Sequence, residues 1–270
     1  RLKSYLDQNL LQISETVAMT ADQAMMLVIF GPVGFGVYVL GSTFAWIFEA
    51  LSEIFNNAFY PKLMKASKIS ISSSMCMLQK SLFLYLSASL FLIPGAIVGL
   101  TWLILFYFPK YQSGLDVFVL VLFFGVSRGA ISLLKKGYIA ANKERIFIVN
   151  SIIAIFINGG FALLVAYLDL SFEKSVYYLS LLNLSIYFIF YVHLVSNVNV
   201  FYFRNISMVL LSFLILFCIQ PGWQEFISHQ NVHSMMIKVV IGYSLTIGLL
   251  FLCRNNLSNY IGLLDLDEYD

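Results

Sequence analysis

Twelve of the sixteen lysines and arginines in this 270-residue chain fall on one side when its apolar stretches are threaded back and forth across a bilayer. Arg1 and Lys3 precede the first stretch. Lys62, Lys65, Lys68 and Lys80 lie between the second and third, and Lys135, Lys136, Lys143 and Arg145 between the fourth and fifth. Arg204 lies between the sixth and seventh, and Arg254 follows the eighth. Lys110, Lys174 and Lys238 fall on the other side, and Arg128 sits inside the fourth stretch. Such a bias over short loops is the positive-inside pattern of polytopic membrane proteins. It predicts a multi-pass chain with both termini on the cytoplasmic face. The acidic tail (Asp265, Asp267, Glu268, Asp270) carries little topological weight, because acids contribute little to orientation.

Composition excludes a water-soluble domain. Apolar residues make up 60% of the chain and charged residues 11%, against roughly 25% in soluble domains. The mean hydropathy is +0.85. The net charge of +2 reflects topological bases and gives no reason to expect nucleic acid.

Eight spans are predicted, at residues 10–30, 37–60, 82–108, 115–134, 146–168, 176–194, 206–219 and 236–252. The third is read as interrupted at Pro94-Gly95. Most are near the ~20 residues needed to cross the hydrocarbon core as helix. The alternating ~10-residue segments of a transmembrane barrel are absent. The expected fold is therefore an all-α polytopic bundle of about eight transmembrane helices. Residues 1–197 would form a six-helix bundle, and 198–270 two further helices and a short cytoplasmic tail. The chain starts at Arg1 directly before a span, and an upstream portion is expected. The first apolar stretch is a full-length span rather than a cleavable leader.

Cys76, Cys218 and Cys253 show no disulfide or metal spacing. The glycine-rich segment 31–36 lacks the Lys-Ser/Thr of a phosphate loop and reads as the tight turn of a helical hairpin. His229 and His233, four residues apart, have no third metal ligand nearby and read as solvated loop residues. No cofactor and no metal site is expected.

Ionisable residues within the apolar spans carry more information. Glu15 and Asp22 fall on nearly one face of the first span. Glu49 and Glu53 lie in the second, followed by Asn56 and Asn57. Arg128 lies in the fourth between Ser127 and Ser132, Asn150 and Asn158 in the fifth, and Asn183 in the sixth. A charge at the bilayer centre costs at least ~2.5–3.5 kcal/mol, so these groups must face the bundle interior, water or each other. Structural pairing, such as Arg128 with Glu49 or Glu53, would satisfy this. A polar transport cavity would satisfy it for the whole set. There the acids could bind Na⁺ or H⁺, and the planar guanidinium would suit a phosphate.

The order of short motifs is also informative. Ala21-Asp22-Gln23-Ala24-Met25-Met26 leads through Gly31 and Gly34-Phe35-Gly36-Val37-Tyr38 into the second span. That span closes on Phe59-Tyr60-Pro61-Lys62-Leu63, and the third on Phe108-Pro109-Lys110-Tyr111-Gln112-Ser113-Gly114. Asn142-Lys143-Glu144-Arg145 precedes the fifth, which contains Asn158. Over about two-thirds of the chain this series resembles the O-antigen and polysaccharide flippases of the multidrug/oligosaccharidyl-lipid/polysaccharide exporter superfamily. The resemblance implies the second lobe of a two-lobe transporter plus two terminal helices, in a bacterial inner membrane. It implies no enzymatic activity. The substrate would be an undecaprenyl-diphosphate-linked oligosaccharide, moved from the cytoplasmic to the periplasmic leaflet, with Na⁺ or H⁺ as coupling ion. Arg128 would contact the diphosphate or sugar, with Glu49 and Glu53 beside it. Glu15 or Asp22, with Asn158 as neighbour, would correspond to the ion-coupling site. Partners would be the substrate, membrane lipids, the missing first lobe and other polysaccharide-assembly proteins. Two alternatives stay open: a drug or small-cation exporter of the same superfamily, and a membrane polymerase or glycosyltransferase. The latter usually carries a large, Arg-bearing outer loop. The longest outer segment here, near 220–234, holds about fifteen residues and no Arg.

Overall fold

The structure, a computed structural model, describes residues 2–198, leaving aside the side chains of 2–8, 11, 15, 18, 19, 113 and 116. Its helices are α1 (Leu2–Ile69), α2 (Ile71–Tyr107), α3 (Leu115–Ala140), α4 (Glu144–Tyr167) and α5 (Phe172–Val198), with a 3₁₀ turn at Pro109–Gly114. All five are long and apolar enough to cross a membrane. No strand occurs among the described residues. The seventh and eighth expected spans, with His229, His233, Cys218 and Cys253, lie outside the described residues.

Helix α1 is two limbs. Gly31 leaves helical geometry at φ 67° and ψ −171°, a region that glycine enters without the Cβ penalty of other residues. Pro32 opens the next limb, where its missing N–H costs nothing. The Tyr38 hydroxyl reaches the Asp22 carboxylate, although sixteen residues separate them. A straight helix would hold them about 24 Å apart. The limbs therefore fold back on each other, as a hairpin predicts, but the turn is confined to Gly31 rather than spread over 31–36.

Three other sequence expectations need correction. The expected break at Pro94-Gly95 does not occur: α2 runs unbroken through Pro94, which is buried. Membrane helices tolerate proline because neighbouring groups re-satisfy the freed carbonyl. The basic loop expected after the second span is nearly absent. Lys62, Lys65 and Lys68 remain on α1, and Ser70 alone separates it from α2. The Ser70 hydroxyl caps α2 by accepting from the Ser73 amide. Lys135 and Lys136 likewise remain on α3. Lysine is a good helix former, so these helices extend beyond their apolar segments.

Helix α3 is the centre, and every residue from 117 to 130 is buried. The second limb of α1 runs parallel to it. Val37 meets Gly114, Gly41 meets Phe118 and Ala45 meets Gly125, advancing together along both helices. Gly125 and Gly129 form a G-x-x-x-G pair on α3, the spacing that lets membrane helices approach closely. A Cβ on Gly125 would lie 2.6 Å from the Ala45 carbonyl oxygen, and one on Gly129 2.1 Å from the Tyr85 hydroxyl. That hydroxyl staples three helices, donating to Val126 O at 3.0 Å and Phe48 O at 3.3 Å. Helix α2 lies antiparallel, with Leu78 against Gly137. Helix α5 runs parallel to α3, and Tyr138 donates to Phe190 O at 2.7 Å.

This alternation gathers the turns at two ends. Phe172 packs on Phe30 with ring centroids 5.2 Å apart, bringing the 168–171 turn to the Gly31 end, and Gly114 joins them through Val37. The other end holds Ser70 and residues 141–143. Lys62, Lys65, Lys68, Lys135, Lys136, Lys143 and Arg145 cluster there, whereas Lys110 and Lys174 lie at the Gly31 end.

Replacing Gly125 by Val should drive a branched side chain into the Ala45 backbone. Overpacking of this kind costs about 1–3 kcal/mol. Gly159→Ala, with nothing within 4 Å of the new Cβ, should melt like the parent. Thermal unfolding in detergent separates the two. An unchanged melt for Gly125→Val would disprove the close crossing.

Candidate functional site

Near the midpoint of α3, Arg128 is buried with 6% of its surface exposed. Its Nη2 lies 2.8 Å from Asp22 Oδ1, and its Nη1 3.5 Å from Glu49 Oε1. The Phe124 ring, one turn earlier, stacks under the guanidinium at 4.2 Å, a cation–π contact that gains strength when desolvated. Asp22 is 1% exposed and accepts on its other oxygen from the Tyr38 hydroxyl. Glu49 differs: its side chain is 31% exposed.

Three segments supply this cluster: Asp22 from the first limb of α1, Tyr38 and Glu49 from the second, and Arg128 with Phe124 from α3. The Gly31 turn lies nearly midway between Asp22 and Tyr38, so the hairpin brings them to one height. The parallel register then brings Glu49 opposite Arg128, 79 residues away in sequence.

From Glu49 a polar ladder continues along both helices. Glu53, Asn56, Asn57 and Tyr60 follow at helical spacing on α1, and Ser132 and Lys136 follow Arg128 on α3. Asn56 Nδ2 donates to Ser132 Oγ at 3.2 Å, and Lys136 Nζ lies 5.0 Å above the Tyr60 ring. These residues, with Pro61, line an open groove of about 330 Å³ toward the basic end. Asn56 Oδ1 is buried at its wall and accepts no hydrogen bond among the described residues.

A second polar network lies nearer the basic end. His193 on α5 bonds Asn150 Oδ1 on α4 at 2.8 Å, and Asn150 Nδ2 donates to the Tyr138 hydroxyl at 3.0 Å. Tyr138 donates onward to Phe190 O. Asn150 Oδ1 can only accept, so His193 donates from Nδ1.

The structure thus brings Asp22, Glu49 and Arg128 together. Glu53 is exposed in the groove, and Arg128 pairs with Glu49 and Asp22 rather than with Glu53. Asn158 is buried on α4, but its Oδ1 accepts no hydrogen bond among the described residues, and Asp22 is held by Tyr38 and Arg128 instead. The side chain of Glu15 lies outside the described residues. Tyr38, Phe124 and His193 were not visible as site residues in the sequence. The near-symmetric placement of Asp22 and Tyr38 about Gly31 is a signal that would have found Tyr38. No group of three metal ligands occurs among the described residues. Comparison with protein families, curated proteins and solved structures finds no match to this chain.

Removing one partner of a buried ion pair costs about 3–5 kcal/mol, whereas replacing the whole set by apolar groups is often neutral. Arg128→Met should therefore destabilise strongly, and the triple change Arg128→Met, Asp22→Leu, Glu49→Gln should recover most of the loss. Unfolding by denaturing detergent measures both. Equal stability of Arg128→Met and the parent would show that the cluster carries no net charge compensation.

Proposed function

We propose that this chain is one bundle of a membrane transporter and, more narrowly, of a flippase for a lipid-linked oligosaccharide. The observation that carries this reading is the ion cluster. A guanidinium held between carboxylates from two limbs, in the middle of an apolar bundle and beside a polar groove, is costly for a passive anchor. It is useful where a polar group must cross. The motif series from the first to the sixth expected span supports the narrower reading. It favours an undecaprenyl-diphosphate-linked substrate whose head group travels along the groove while its tail stays in lipid. Arg128 would meet the diphosphate, whose oxygens match its fork. Asn56, Asn57 and Glu53 would offer hydrogen bonds to sugar hydroxyls.

On this reading the basic end faces the cytoplasm of a bacterial inner membrane, and the Gly31 end faces the periplasm. Alternating access requires a second bundle across the groove, supplied by a preceding lobe or another chain. No covalent bond changes. Na⁺ or H⁺ would drive the cycle.

One observation favours export of small organic cations instead: Glu53 lines the groove and Glu49 lies one turn from it, so two carboxylates stand against the guanidinium of Arg128. A single experiment separates the readings. The intact gene is deleted, and lipid-linked oligosaccharide in the outer leaflet is labelled selectively. Single repeat units that accumulate unlabelled support the flippase. Normal glycan points to cation export. Repeat units that reach the outer leaflet but stay unpolymerised point to a polymerase.

A further inference from the structure

The two carboxylates on Arg128 are held in different ways. Asp22 is fully enclosed, at 2.8 Å from Nη2, and takes a second hydrogen bond from Tyr38. Glu49 has one long contact, 3.5 Å to Nη1, and nearly a third of its side chain is exposed. The charge count is also unbalanced. Among the described residues, Asp22 and Glu49 carry two negative charges against the one of Arg128 when both acids are ionised. An uncompensated charge within an apolar bundle is what such a bundle disfavours most. A proton on Glu49 offsets one negative charge of an anion that takes its place on Arg128. Asp22 is enclosed and gripped by two donors, whereas Glu49 is partly exposed and meets one.

We propose that Glu49 is the exchangeable carboxylate of this cluster and Asp22 the fixed one. Glu49 occupies the Nη1 side of Arg128 while no ligand is present. It leaves that side by taking a proton from water at its exposed edge, and the oxygen of an incoming phosphate-bearing group takes its place. Asp22 meanwhile stays on Nη2 and keeps the first limb of α1 attached to α3. When the anion departs, the proton returns to water and Glu49 returns to Nη1. The groups that act on Glu49 are Arg128 from α3, Asp22 from the first limb, Glu53 one turn along its own helix and Tyr85 from α2. Glu53 lines the groove, one turn from Glu49.

This assignment differs from the expectation that Glu15 or Asp22 is the coupling acid. It rests on the transport reading only for the identity of the anion. Infrared titration of the full-length protein in lipid vesicles tests it without any transport assay. Acidification should raise a protonated-carboxyl band, and inorganic pyrophosphate at constant pH should raise the same band. Glu49→Gln should abolish the pyrophosphate-induced band, while Glu53→Gln and Tyr38→Phe should keep it. Asp22→Asn, if it folds, should keep it as well; Tyr38→Phe tests the same point where Asp22→Asn does not fold. A pyrophosphate-induced band that survives Glu49→Gln, or that disappears in Tyr38→Phe, overturns the proposal, as does the absence of any such band in the parent. A normal band in a protein whose deletion leaves the outer-leaflet glycan unchanged would overturn the flippase reading alone.

Discussion

A guanidinium at the middle of an apolar bundle must be compensated, and the architecture of the described helices follows from how Arg128 is compensated. One carboxylate comes from each limb of α1, so the chain has to reverse between Asp22 and Glu49. Gly31 provides the reversal with a single residue of positive φ. The second limb must then run parallel to α3 and close to it. Gly125 and Gly129 bracket Arg128 on either side and permit that approach. Tyr85 fills the junction and ties the same stretch of α3 to α1 and α2. The hairpin, the glycine pair and the ion cluster are thus one arrangement: larger residues at 125 or 129 would hold Glu49 away from its partner.

Large apolar side chains lie on the outside of the helices as well as in the core, while several polar ones lie inside. Val28, Ile54, Phe156, Leu163 and Tyr167 are largely exposed, while Asp22, Arg128, Asn150 and Asn158 are buried. Lipid explains the first set and the cost of charge in lipid the second. Glu53 and Asn57 break this rule. Both are exposed on a limb that is apolar enough to span a membrane. Neither can face hydrocarbon, so this side of α1 faces water or further protein.

The sequence disclosed the apolar stretches, their alternation and the interior acids, because hydropathy and charge bias are summed over many residues. Helix ends were less legible. Hydropathy falls at Lys62 and Lys135, but helical hydrogen bonding does not, since lysine sustains a helix in water. Pro94 reads as a break by the rules of soluble helices and is none in a packed membrane bundle. The pairing of Asp22 with Arg128 was out of reach for a different reason. Periodicity reports which residues share a face of one helix, not which helix lies opposite, and 106 residues separate these two. The Gly125 and Gly129 pair was legible in principle, as a small-residue spacing within an apolar span.

The two polar networks on α3 tie it to its neighbours by different means. At the basic end, Tyr138, Asn150 and His193 join α3, α4 and α5 through hydrogen bonds whose directions are fixed by Asn150. His193 donates from Nδ1 to Asn150 Oδ1, which closes this chain of bonds. At the midpoint, α3 is joined to α1 by charges, and the strength of that tie depends on whether Glu49 is ionised. A change in the protonation of Glu49 therefore acts on the seam between α1 and α3. That seam is also where the groove opens, so the polar tie that ionisation can loosen coincides with the path a polar group would follow.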